Sequence, residues 1–246
     1  MRPKRGAAKV AELLAQGADP MRESSIALRL AAQKGHAECV WLLLPVSDPK
    51  GGESSPLWLA AQNGHVECLR LLLPVSYPGA GESSALRWAA AMGHVECVRL
   101  LLPVSNPKAN ESHALRAAAC NGHAECVRLL LPVSDPKAME SEALWLAAMT
   151  GRAECVRLLL AVSGPLGEMD GLLEKVFERG RAKVAALMIE EEPRLLDGRD
   201  LSKCLAAALE NDHLDMAGLL SSIMDQGELL DLVPNRPASA GRLARL

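Results

Sequence analysis

The chain has 246 residues, 27 Lys and Arg against 30 Asp and Glu, and only six aromatic residues (four Trp, one Tyr and one Phe). At roughly 100 to 200 residues per domain this is one or two domains, and a core of Leu, Ala, Val and Cys disfavours a β-sandwich, whose strands want β-branched and aromatic residues. A formal charge of −3 gives no electrostatic case for nucleic acid or an anionic membrane, and no apolar run nears the ~18 residues of a membrane span.

The basic start, Met1-Arg2-Pro3-Lys4-Arg5, leads into a stretch broken by Lys9 and Glu12, a poor core for a signal peptide. A cytoplasmic, reducing location is therefore expected. Residues 5–20 read as one helix and a Gly17-Ala18-Asp19 turn. Glycine stands at 6, 35, 64, 93, 122, 151 and 180, a spacing of 29 residues held six times. His36, His65, His94 and His123 follow it, then Glu38, Glu67, Glu96, Glu125 and Glu154, then Cys39, Cys68, Cys97, Cys126 and Cys155. Leu triplets close the units. A fixed period of this size marks stacked repeats, each unable to bury its apolar face alone.

Two short helices are predicted per unit. Ser25, Ser54, Ser83, Ser112 and Ser141 share a column and would supply an N-cap oxygen to the first helix, whose apolar positions are Leu28, Ala31 and Ala32 in the first unit. The glycine column ends that helix, because glycine tolerates the left-handed conformation past a C-terminus. A second helix follows over 37–44 in the first unit, its Glu at the positive end of the dipole. Pro45, Pro74, Pro103 and Pro132 stop it. Ala pairs at 31–32, 60–61, 89–90, 118–119 and 147–148 would let first helices lie close together. The linkers are too interrupted by proline for a strand. Degenerate units follow at 172–176 with 183–189 and at 201–209 with 214–223, the last shifted by three residues. The expected layout is an all-α solenoid over residues 1–226: a half repeat at 5–20, five regular repeats over 21–163 and two degenerate ones over 164–226. A C-terminal tail over 227–246 is expected to be disordered from about 234.

The block Ser83 to Leu102, SSALRWAAAMGHVECVRLLL, resembles the ankyrin repeat, whose pattern is T-P-L-H-x-A-A-x-x-G-H-x-x-x-V-x-x-L-L; Ser55-Pro56-Leu57-Trp58-Leu59-Ala60-Ala61 is the closest local match. The resemblance spans about residues 5–226 and implies stacked helix-turn-helix repeats with a concave inner surface that binds a protein partner. Two departures stand out. The unit has 29 residues rather than 33, and the missing ones fall in the connection that forms a protruding β-hairpin in the family, so shortened fingers are expected. The T-P-L-H histidine is absent: its column holds Arg29, Trp58, Arg87, Arg116 and Trp145. The loop-bracing that this histidine supplies in relatives is not carried over.

Seven cysteines without a secretion signal read as reduced and buried. Packed helices sit about 8 to 10 Å apart, beyond the ~7 Å that a disulfide spans between Cα atoms. His-x-x-Cys pairs such as His94 with Cys97 offer two zinc ligands per unit where a structural site needs four, and Cys–His catalysis would lack an oxyanion or orienting group. No metal, cofactor or catalytic residue is predicted. Pairs such as Glu67 with Arg70 read as solvated ion pairs, each worth about 0.2 to 0.5 kcal/mol. Trp41, in the Arg column, is either a packing patch or a contact.

Specificity in a repeat array sits where copies differ. The partner-binding candidates are Trp58, Arg87, Arg116 and Trp145 on the first helices, Asn63, Met92, Asn121 and Met149 near their ends, and Tyr77 in a connection. Trp, Tyr and Arg are over-represented at binding hot spots. Trp88, in the column of Leu30, Leu59 and Leu146, is core or groove. The expected function is a non-enzymatic scaffold that binds a protein partner through the concave face, without nucleic acid or membrane. The alternative is a substrate-recruiting module of a larger enzyme of the secreted-effector kind, acting then in a host cytoplasm. The mid-repeat start favours it, since Val10, Leu13 and Leu14 would need cover from an upstream domain or from self-association at the N-terminal face.

Overall fold

The structure, a computed structural model, describes residues 5–163, 171–197 and 200–231. Among the described residues there are helices and turns and no strand. The chain divides into two compact units, Met1–Asp170 and Gly171–Leu246.

In the first unit, α1 (Arg5–Ala15) stands alone and the rest comes in pairs: α2 (Arg22–Gln33) with α3 (Ala37–Leu43), α4 (Gly51–Gln62) with α5 (Val66–Leu72), α6 (Ala80–Ala91) with α7 (Val95–Leu101), α8 (Ala109–Asn121) with α9 (Ala124–Leu130), and α10 (Ala138–Thr150) with α11 (Ala153–Ser163). First helices pack in sequence from α2 to α10, and second helices from α1 to α11. Leu57, Leu86, Leu115 and Leu144 are fully buried between the layers, as are both alanines of each pair at 60–61, 89–90, 118–119 and 147–148. Cys97, Val98 and Leu101 of α7, and their equivalents in the other second helices, complete the core. Each buried Leu or Val contributes about 1.5 to 3 kcal/mol of burial free energy. The α1 helix packs as a second helix, against α3, as its sequence implies.

Proline ends the second helices. In the first three regular repeats the chain tightens into a 3₁₀ turn around it, over Leu44–Val46, Leu73–Val75 and Leu102–Val104. The fifth repeat has Ala161 in that column, and there the helix continues for 11 residues instead of 7.

The serine column does something other than cap. From α4 to α10, the first helices open with a left-handed turn, such as Gly52-Glu53-Ser54 with φ of 57, 56 and 60°. The column serines are buried, and in four of them Oγ accepts the backbone N–H of a residue 23 positions later: Asp48 on Ser25, Tyr77 on Ser54, Asn106 on Ser83, Asp135 on Ser112; in the fifth, Ser141 Oγ–H donates to Ser163 O. The serine thus pins the following connection rather than its own helix. A genuine side-chain N-cap occurs at α14 (Leu201–Glu210), where Asp200 Oδ1 accepts the Lys203 amide.

The second unit pairs α12 (Leu172–Glu178) with α13 (Ala182–Glu191) and α14 with α15 (Leu214–Asp231). Its last repeat carries the three-residue shift, and Asp212, with φ of 56°, takes the left-handed place that glycine holds elsewhere. The α15 helix runs through 227–231, within the stretch read from sequence as tail. The disorder expected from 234 falls outside the described residues.

Candidate functional site

In the second, third and fourth regular repeats the histidine after the glycine reaches the preceding repeat. Nε2–H of His65, His94 and His123 donates to the backbone oxygens of Gln33, Gln62 and Ala91, each at 3.0 Å. The ring lies over the preceding glycine so closely that a Cβ on Gly93, whose φ is +75°, would stand 2.5 Å from His123 Nδ1. In the fifth repeat Arg152 takes the same place and donates to Cys120 O. His213 repeats the contact on Glu178 O in the second unit. Burial pushes the thiols of Cys68, Cys97, Cys126 and Cys155 up to about 11; neighbouring Glu and Cys side chains add to it at Cys68, Cys97 and Cys126, while at Cys155 the nearby Arg152 opposes it and Glu154 adds to it. They are thiols at neutral pH, and the thiolate is the form that attacks or binds metal. Among the described residues no three His, Cys, Asp or Glu side chains converge on one point.

The residues that differ between repeats line the first-helix side. Trp58 on α4 and Trp88 on α6 stack across the repeat boundary, ring centroids 6.5 Å apart and planes at 27°. Both rings are half-buried, and the guanidinium of Arg87 lies 5.6 Å from the centre of Trp88. Tyr77, 58% exposed, carries Lys50 Nζ 4.4 Å above its ring. Asn63 and Asn121 are exposed but spend their Nδ2–H on the carbonyls of Leu59 and Ala117, so they finish the ends of α4 and α8. Met92 is 44% exposed.

Two candidates read differently in the structure. Met149 is buried, only 4% exposed. Its column is half-buried in the other repeats (Gln33, Gln62, Ala91 and Cys120), and an unbranched thioether stem follows the apolar side of such a position. The Arg116 side chain is 13% exposed and turned inward. Its Nη2–H donates to Asn110 O in the left-handed turn of its own helix, as Arg29 does to Glu23 O, while Nη1 pairs with Glu142 and touches Met139 Sδ. Both arginines stand in the column of the T-P-L-H histidine, and each ties the left-handed turn that opens its own helix.

Arg116 thereby fixes one wall of a recess of about 280 Å³ lined by Met139, Glu140, Glu142 and Trp145. Trp145 is 40% exposed there. Glu142 and His113 share the column of Ile26, Ser55 and Ser84, whose variation is plain in the sequence but was not singled out among the candidates. His113 Nδ1 accepts Asn110 Nδ2–H. Burial and the nearby Arg116 and Arg87 hold His113 below its ordinary pKa, against smaller opposing effects of Glu142 and Glu82. In the second unit a larger recess, about 450 Å³, lies between α12 and α14 beside Phe177, Cys204 and Ala207. Two charges on its rim are already paired: Glu178 with Lys175, and Lys203 with Asp200.

The sequence matches the family model for ankyrin repeats in three copies, over residues 4–80, 28–110 and 86–170. The chain belongs to the ankyrin repeat family. The fold is similar to the crystal structure of the human ASB11 ankyrin repeat domain, with 22% identity and a TM-score of 0.60 over 71% of this chain and 84% of that one. No curated protein matches the chain in sequence. Ankyrin repeats are in general protein–protein interaction modules, and among the described residues no helix is long and apolar enough to cross a membrane.

Proposed function

We propose that this protein is a non-enzymatic recognition scaffold and that it holds a protein partner on the first-helix side of its five regular repeats, the concave side of an ankyrin array. Residues 164–226 are read as two further, degenerate repeats. One observation carries this reading: a buried 29-residue frame recurs from repeat to repeat, and on it Trp58, Arg87, Met92 and Trp145 change identity while staying accessible. The protonated, buried thiols support the non-enzymatic part of it.

The test is capture of partners from cell lysates by the full chain and by a Trp58→Ala, Arg87→Ala, Met92→Ala, Trp145→Ala variant of equal helicity. Arg116 is left in place, because removing it would strand the half-buried Glu142 carboxylate. Truncating hot-spot residues costs about 2 kcal/mol or more each, so a partner held on this face should be lost. A partner retained undiminished by the variant rejects the face.

A further inference from the structure

The recess of the fifth regular repeat has a chemistry that no other regular repeat shares. Trp145 gives it an indole face, Met139 a thioether, and Glu140 and Glu142 two carboxylates. In the other regular repeats the position of Met139 is Glu23, Gly52, Gly81 or Asn110, and that of Glu142 is Ile26, Ser55, Ser84 or His113. The charges decide what fits. Arg116 cancels Glu142, while Glu140 stands exposed on the left-handed turn, and among the described residues it has no ion-pair partner. One negative charge therefore remains beside an accessible aromatic face.

Two other aromatic rings of this unit already carry a cation from the chain itself: Lys50 over Tyr77 and Arg87 over Trp88. Among the described residues Trp145 carries none. A cation over an indole is drawn to the ring quadrupole, and the methylene stem that delivers it can lie along apolar surface. At about 280 Å³ the recess falls just below the range of small-molecule pockets, which run from ~300 to 1,000 Å³. It has room for one side chain.

From this geometry we infer that the fifth repeat holds a lysine or arginine side chain of the partner, its stem along Trp145 and Met139 and its charge against Glu140. This rests on the protein-binding reading above and names the chemistry of one contact within it.

The probe is a Gly-Ser peptide with one central lysine, titrated into the full chain while the indole N–H resonance of Trp145, assigned with Trp145→Phe, is followed by NMR. A saturable shift is expected, with affinity about tenfold lower for the acetyl-lysine peptide and for Glu140→Gln. Glu111→Gln removes the same charge at the same place one repeat earlier and should change nothing. Absence of a saturable shift, equal binding of the acetylated peptide, or equal weakening by Glu111→Gln and Glu140→Gln would each overturn the inference, the last because it would show rim charge alone. Both glutamates lie exposed in equivalent turns, so neither variant threatens the fold. If a captured partner depends on Trp145 while the peptide fails, the face stands and the cationic guest falls. Peptide binding with partner capture undiminished in the four-residue variant would leave the recess able to take a cation, but would reject the face and with it the partner's side chain as the guest.

Discussion

The contact between each histidine and the preceding glycine can be tested by replacing Gly93 with alanine. Two costs follow from the structure. An L-residue at φ of +75° meets a left-handed penalty of about 1 to 2 kcal/mol. The new Cβ would also sit 2.5 to 2.9 Å from three atoms of the His123 ring, so the ring must move and its bond to Ala91 O is lost, about 0.5 to 1.5 kcal/mol more. Gly93→Ala is therefore expected to cost about 1.5 to 3.5 kcal/mol. Gly17, with φ of +83° and nothing within 4 Å of its virtual Cβ, isolates the first cost; Gly17→Ala should lose about 1 to 2 kcal/mol. The decisive measurement is a double-mutant cycle by urea unfolding, followed by helical circular dichroism. With His123→Ala already in place there is no ring to displace, so Gly93→Ala then costs only the backbone part and the two changes fall short of additivity by about 1 kcal/mol. Independent sites add to within about 0.3 to 0.5 kcal/mol. Additivity within that margin would refute the claim that glycine is required here by the ring.

The serine column gives a second prediction. Ser83→Ala strands the Asn106 amide and should cost about 1 to 3 kcal/mol. Ser83→Asp, which a helix N-cap would accept, should be at least as costly because the site is buried; a wild-type urea midpoint for Ser83→Asp would restore the capping role. The third concerns alkaline pH. Unfolded thiols ionise near 9, whereas Cys97 and Cys126 in the fold hold their protons to about 11. Over that window the unfolded chain binds fewer protons, so stability falls as pH rises from about 9 to about 11. The Cys97→Val, Cys126→Val variant should show a shallower fall between pH 8 and 10.5, and an unchanged slope in its urea midpoints would count against buried, protonated thiols.

Much of the frame was legible because its signals are local and repeated. The proline column predicts where second helices end, and Ala161, the exception, lets α11 run on. The alanine pairs predict close first-helix packing, and they are buried. What escaped the sequence lies far along the chain from the helix that carries each residue. A serine before an apolar run reads as an N-cap, yet its partner amide lies 23 residues ahead. A histidine three residues before a cysteine reads as a ligand pair, yet its partner is a carbonyl 32 residues back. No pattern local to one helix reveals either. Among the candidate contacts, identity predicted surface for Met149 and Arg116, but burial follows the column and the available partners. The Met139 and Glu142 substitutions that turned Arg116 inward lie on the following repeat.

These offsets explain how the array can vary its surface without losing its frame. The Ser brace spans 23 residues, from the start of a unit to the connection that closes it, and the His brace 32, back to the preceding repeat; the amides and carbonyls at their far ends are backbone groups that every regular unit offers. Stability in such an array is a sum of nearest-neighbour terms. A change at Trp58 or Trp145 touches neither brace. Arg116 shows the other case: once a column residue pairs with Glu142 of the next repeat, it stops being available to a partner and becomes part of what shapes the adjoining surface. The fifth repeat's recess is the consequence, since the same ion pair that withdraws Arg116 from solvent holds Glu142 in the wall beside Trp145 and leaves Glu140 as the charge facing outward.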